Sequence, residues 1–129
     1  MTLSEIATKA LLIAFSPKHD MDAKRRLLPK YINDKMYIQH SAVVPDGYEG
    51  LIGLIQELHD SAPDYSISIK RTIEEGELVF VHCHYKFGNG DEQGKAIAEI
   101  FRAEDGKLVE HWDVIQDVPD KFANQNGMF

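Results

Sequence analysis

Residues 65–87, YSISIKRTIEEGELVFVHCHYKF, decide the fold class. Tyr65, Ile67, Ile69 and Ile73 alternate with Ser66, Ser68, Lys70 and Thr72, the period of two that marks a strand with one apolar face. Glu74-Glu75-Gly76 interrupts the alternation with a glycine suited to the positive φ of a hairpin loop, and a second strand is expected at about 78 to 87. Two more are expected at about 95 to 102 and 108 to 116, bounded by Gly88-Asn89-Gly90-Asp91 and Glu104-Asp105-Gly106. Such connections are too short for crossover helices, so the spacing predicts an antiparallel meander.

Upstream of Pro63 the period is helical. Thr2 and Glu5 have capping-box spacing, and Leu3, Ile6, Ala7, Ala10, Leu11 and Ala14 recur at three- and four-residue intervals up to Ser16-Pro17. A shorter helix is expected from near Asp20 to Leu28, where Pro29 stops it or leads into a final turn ending at Lys35. Asp46 and Glu49 repeat the capping box ahead of Leu51, Ile52, Leu54, Ile55 and Leu58, in a helix that ends before Pro63. Three helices gathered on one face of an antiparallel sheet give the α+β class, and 129 residues predict a single domain over 1–129.

Composition narrows the function. The chain is 43% hydrophobic and 27% charged, enough apolar material for a buried core. It carries 14 basic and 21 acidic residues, net −7, with no basic cluster beyond Lys24-Arg25-Arg26, so nucleic acid and anionic membranes are not expected partners. The single Cys83 cannot form an internal disulfide, which fits a reducing compartment and removes any multi-cysteine zinc site. The apolar run Ala10 to Phe15 is too short to span a bilayer, and the expectation is a soluble, cytoplasmic protein.

Loop lengths sort the strands into faces. Three-residue loops would pair residue 73 with 77 and 103 with 107, and an even middle loop would put His82 opposite Glu99. One face then collects Ile67, Ile69, Val79, Val81, Cys83, Tyr85, Ala96, Ala98, Ile100, Trp112 and Val114. The other collects Leu78, Phe80, His82, His84, Ile97, Glu99, Phe101, His111, Asp113 and Ile115, with ionisable groups set among apolar walls. The second face has the makings of a reactive pocket. The first, which no helix is left to cover, predicts a homodimer through the sheet with Trp112 as an anchor.

Five segments carry a resemblance: Tyr37-Ile38-Gln39-His40, Asp46-Gly47, Glu99-Ile100-Phe101-Arg102, Gly106 through Val114, and the ending Asn126-Gly127-Met128-Phe129. In these the chain resembles the SnoaL-like group of the nuclear transport factor 2-like superfamily, Glu110-His111-Trp112-Asp113-Val114 being the most specific. The resemblance implies a cone of three helices against a curved antiparallel sheet, a deep pocket at its wide end and frequent dimerisation. It also implies aldol closure of polyketide rings with an aspartate base at the position of Asp113, and no metal. Ser41-Ala42 stands where the family has Asn-Pro, and Glu99 where it has aspartate, which points to a different substrate.

The expected catalytic residues are therefore Asp113, Glu99 and His40, with His82, His111, Phe80, Phe101, Ile97 and Ile115 binding a small-molecule substrate. Asp113 sits mid-strand, where an aspartate is disfavoured and costly to bury, and a second carboxylate nearby would raise its pKa toward the range useful for acid-base work. A purely structural carboxylate paired with His111 or His82 is the alternative, as is a capping or core histidine at His40. His82 and His84 project to one face and could hold a metal with Glu99 or Asp113, but the preferred reading needs neither metal nor cofactor. The glycine-rich turn at 88–94 precedes no helix, so it is not a phosphate loop, and Cys83 is read as an inert buried thiol. Two functions remain open, a cofactor-independent acid-base enzyme acting on a small apolar carbonyl compound and a non-catalytic module that binds a small ligand in the same pocket.

Overall fold

The computed structural model describes residues 1–88 and 93–129. Its elements run α1 (Leu3–Ala14), α2 (Met21–Leu27) with a 3₁₀ turn at Leu28–Lys30, β1 (Ile38–Gln39), α3 (Gly47–Ser61), β2 (Ser66–Glu75), β3 (Leu78–Lys86), β4 (Lys95–Glu104) and β5 (Lys107–Asp117). Three helices pack on a curved five-stranded sheet of order β1-β5-β4-β3-β2, which is not closed into a barrel. The meander β2 to β5 is antiparallel as expected, but β1 adds in parallel beside β5, with Ile38 opposite Glu110 and Gln39 opposite His111, so the sheet is mixed.

The helix ends follow local chemistry with one exception. Thr2 and Glu5 form the full capping box, with Glu5 N–H donating to Thr2 Oγ1 at 3.1 Å and Thr2 N–H to Glu5 Oε2 at 2.8 Å. Asp20 caps α2 through Ala23 N–H at 2.8 Å, and Pro29 is accommodated in the 3₁₀ turn. Asp46 makes no cap bond to α3. Its Oδ1 accepts instead from the backbone N–H of Gln39 at 2.9 Å, tying the start of α3 to β1.

The sheet register corrects the sorting of faces. The hairpin turns are tighter than expected, with Glu75 opposite Leu78 and Glu104 opposite Lys107, and the second is carried by Asp105 (φ 50°) and Gly106 (φ 77°). Bulges between Ile69 and Arg71 and between Arg102 and Ala103 then restore the parity, so Glu99 still shares a face with Asp113, and Phe101 with His111. The middle hairpin behaves differently. Tyr85 pairs with Lys95, which leaves an odd number of residues between them, so His82 lies opposite Ala98 and Val81 opposite Glu99. Gly94 makes this possible at φ +70°, since a Cβ there would stand 2.0 Å from the carbonyl oxygen of Tyr85. The rest of that turn, Asn89 to Glu92, lies outside the described residues.

That single step turns β3 over. Val79, Val81, Cys83 and Tyr85 face the helices beside Ile97, Glu99, Phe101, His111, Asp113 and Ile115, while Leu78, Phe80, His82 and His84 share the outer face with Ala98, Ile100, Trp112 and Val114. The core lies between the inner face and the helices, where Val79, Val81, Ile55, Leu28 and Leu108 are fully buried. Among the described residues no helix is long and apolar enough to cross a membrane.

One charged side chain closes the helical layer. Lys24, 0% exposed, donates from Nζ to the carbonyl oxygen of Ala14 at 2.9 Å and contacts the hydroxyl of Tyr65, which itself donates to Ala14 O at 3.1 Å. These bonds satisfy the C-terminal turn of α1 and bind it to α2 and to the start of β2. Burial lowers the Lys24 amine from 10.5 to about 8, whereas burial raises the Tyr65 phenol above 10.0. Between about pH 8 and pH 9 the unfolded chain therefore holds a proton on Lys24 that the folded chain has released, and stability rises with pH; above about pH 9 the buried Cys83 thiol, which burial pushes up, opposes this rise. Thermal melting from about pH 8 to pH 9 should show a Tm that rises with pH in the wild type relative to Lys24→Met, which lacks the Lys24 contribution.

Candidate active site

The helices do not fill the concavity of the sheet. A cavity of about 410 Å³ remains between them, walled by Ala10, Leu11 and Ala14 of α1, Leu51, Leu54 and Leu58 of α3, Val43 and Val44 of the β1–α3 loop, and the inner face of the sheet. Nearly all of its wall is apolar, and apart from Lys95 at the start of β4 its charged groups converge at one place, where β5, β4 and β1 meet. There, Glu99 and Asp113 stand directly opposite each other across two strands and His111 is the next inward residue of β5.

A hydrogen-bond chain holds this cluster in one orientation. Gln39 Oε1 accepts from the backbone N–H of Ser41 at 2.9 Å, which identifies that atom as the oxygen. His111 Nδ1 faces the same oxygen at 2.7 Å and so carries a proton. His111 Nε2 meets Glu99 Oε2, and Glu99 Oε1 accepts from the Tyr85 hydroxyl at 2.9 Å. A carboxylate oxygen and a ring nitrogen in hydrogen-bond contact must have a proton between them. Glu99 and His111 thus form a buried pair, 4% and 7% exposed, that carries one shared proton. Tyr37 stacks parallel to His111 with centroids 6.5 Å apart and Phe101 leans on the ring at 4.8 Å, which fixes its plane.

Asp113 completes the cluster. Its carboxyl is raised above the ordinary 3.8, first by burial and also by the charge of Glu99, while the nearby Ser41 hydroxyl and His111 pull it down. Asp113 makes no ion pair with lysine or arginine among the described residues. The phenols of Tyr85 and Tyr37 are pushed up by burial and by the two carboxylates, so both remain protonated at neutral pH. Cys83 is buried, and burial with the charge of Glu99 pushes its thiol up, which leaves it unreactive.

Six expected site residues come together on the cavity: Asp113, Glu99, His111, Phe101, Ile97 and Ile115. Three lie elsewhere. His40 points to the outer face, stacked on Trp112 at 4.9 Å with its Nε2 2.7 Å from Glu110 Oε2, because in the two-residue strand β1 it is Gln39 that points inward. Phe80 and His82 are turned outward with β3, and His82 Nδ1 accepts from the Arg71 guanidinium while its ring stacks on Phe129 at 5.5 Å. His84 also stacks on Phe129, at 4.3 Å, so the His82 and His84 pair is across the sheet from Glu99 and Asp113 and cannot share a metal with them. Gln39, Tyr85 and Ser41 went unselected in the sequence, where the only hint was the alternation within Tyr37-Ile38-Gln39-His40.

Ligand atoms of Glu99, His111 and Asp113 lie within 4.8 Å of one another, a spacing that a divalent cation could use. However, Glu99 and His111 face each other through a proton, and their remaining polar atoms are already bonded to Tyr85 and Gln39. The cluster is therefore organised to carry protons, with one carboxylate facing an apolar space and a proton-bearing pair beside it.

Comparison with known proteins agrees with this architecture. The sequence profile of the SnoaL-like polyketide cyclases matches residues 11–120. Among solved structures, a proposed isomerase of the SnoaL-like family from Agrobacterium tumefaciens superposes with a TM-score of 0.74 at 14% identity, covering 90% of this chain and 99% of that one. IdmH, a proposed polyketide cyclase from Streptomyces antibioticus, gives 0.68 at 19% identity, covering 89% and 92%. An NTF2-like protein of unknown function from Cytophaga hutchinsonii gives 0.67 at 12% identity, covering 90% and 91%. At such identities these structures share the fold. No curated protein matches the chain. The profile match over most of the length, joined to three helices on a curved sheet around this cavity, places the chain in the SnoaL-like polyketide cyclase family.

Proposed function

We propose that the chain is a cofactor-independent acid-base enzyme that forms an enolate from a small, largely apolar carbonyl compound and uses it for aldol cyclisation or isomerisation. The observation that carries this reading is Asp113: a part-buried carboxylate, raised above its usual range, facing an apolar cavity beside a pair that holds a mobile proton. Asp113 takes the proton from the carbon next to the carbonyl, the electron pair of that C–H bond forms the C=C bond of the enolate, and the π pair of the carbonyl moves onto its oxygen. In a cyclisation the enolate carbon then bonds to a second carbonyl of the same molecule, and the new alkoxide takes a proton from the Glu99–His111 pair. Protonated Asp113 returns its proton to that pair and the site is restored. Tyr85, held as a donor to Glu99, keeps the pair in place. Apolar walls exclude water that would otherwise compete for the intermediate.

Proton exchange on a simple ketone tests the base whatever the natural substrate. 2-Tetralone, a bicyclic ketone of suitable size for the cavity, should exchange its protons next to the carbonyl for deuterium when incubated with the protein in heavy water. Asp113→Asn keeps the shape and removes the base, and should lower the exchange rate about 10²-fold or more while the fold persists. Exchange that survives in this variant would leave a ligand-binding module as the function of the cavity.

The same assay reports the electrostatics. Activity should fall as pH drops through the Asp113 ionisation, with its inflection above 3.8. Since the charge of Glu99 contributes to that raised position, Glu99→Gln should move the inflection to lower pH, along with any change in maximal rate.

We further propose a homodimer through the outer face of the sheet. Ile73, Leu78 and Val114 are 62%, 44% and 67% exposed there, beside the half-buried Trp112. Sedimentation at micromolar concentration should give a species heavier than the 14.6 kDa chain, and Val114→Lys should shift it toward the monomer.

A further inference from the structure

Gln39 has a polar arm with nothing to hold. Its Oε1 is fully engaged, accepting from Ser41 N–H and from His111 Nδ1, so the carboxamide cannot rotate without breaking both bonds. Its Nε2 is buried and has no hydrogen-bond partner. A buried N–H group without an acceptor is costly, and native chains rarely keep one that serves nothing. Here the amide belongs to a residue lining the cavity, one strand from Asp113 and adjacent in the sheet to His111. The main chain braces it from behind, through Gln39 N–H on Asp46.

Resting on the enolate reading above, we propose that the Gln39 carboxamide is the donor that receives the substrate's carbonyl oxygen and holds it as negative charge develops. The amide suits that task. It is neutral, so it does not neutralise Asp113 as an arginine or lysine would, and the two bonds to its Oε1 set its orientation before substrate arrives. It also narrows the substrate class: one oxygen must sit near Gln39, with the carbon to be deprotonated between that oxygen and Asp113, and the remainder of the molecule must be apolar. The bond chain Asp46, Gln39, His111, Glu99 then links the oxygen site directly to the proton-bearing pair.

Two probes of nearly equal shape separate this role from a structural one. 4-Nitrophenolate, an anion with its oxygen on a flat apolar frame, stands for the enolate, and 4-nitrotoluene is its neutral counterpart. Both are measured on the Asp113→Asn protein, whose carboxamide stands for the protonated acid that faces an enolate. Adding Gln39→Met should weaken 4-nitrophenolate binding about 10-fold or more and leave 4-nitrotoluene within about threefold. The Gln39 side-chain amide resonance, assigned by its loss in Gln39→Met, should move downfield with 4-nitrophenolate and stay in place with 4-nitrotoluene. Equal weakening of both probes, no weakening of either, or an unmoved resonance overturns the proposal and leaves the Asp113 reading to the deuterium-exchange result. Failure of 4-nitrophenolate or 4-nitrotoluene to bind at all likewise overturns this proposal alone.

Discussion

The register of β4 against β5 is the constraint from which the rest of the site follows. By setting Glu99 opposite Asp113 and Phe101 opposite His111 it places three ionisable groups on the inner face of a sheet whose other inner residues are mostly apolar. Charge in such a place is expensive unless every lone pair is used, and the surroundings answer that demand group by group. Tyr85 donates to Glu99, a proton joins Glu99 to His111, and Gln39 receives His111 from the far side. Asp113 is the member left facing the open space.

The parallel strand β1 is only two residues long, yet it organises both faces of this edge. It pairs with β5 at Glu110 and His111, donates a bond to Asp46 at the start of α3, and turns one side chain to each face. Inward, Gln39 orients the histidine. Outward, His40 stacks on Trp112 and joins the Glu110–Arg102 ion pair, closing the other side of the same edge. At the other side of the cavity, Lys24 and Tyr65 clamp the C-terminal turn of α1 to α2 and to the start of β2.

A carboxylate held in apolar surroundings costs stability that burial of a hydrophobic residue would have supplied, and such costs concentrate where function requires them. Asp113 and the amide nitrogen of Gln39 are two such places within one cavity. The exposed outer face is a different kind of feature: apolar residues stand in solvent beside the aromatic stack of Phe129 on His82 and His84, which covers only part of it.

By itself the sequence determined the helical and strand periods, the caps at Thr2 and Asp20, the α+β class, and the grouping of Glu99, Phe101, His111 and Asp113, since each depends on residues close in the chain. Two bulges it could not foresee cancelled the shifts of two tight turns, because parity alone decides which face a side chain takes. Only the tertiary structure decided the middle hairpin. There Gly94 packs its α-carbon against the carbonyl of Tyr85, a contact that fixes an odd count between paired residues and turns the whole of β3 over. Tyr85 thereby enters the site while His82 and Phe80 leave it. Likewise, only the docking of β1 onto β5 could choose Gln39 over the His40 that follows the strand, since so short an extended run carries no periodicity and which side chain faces inward depends on the strand that receives it.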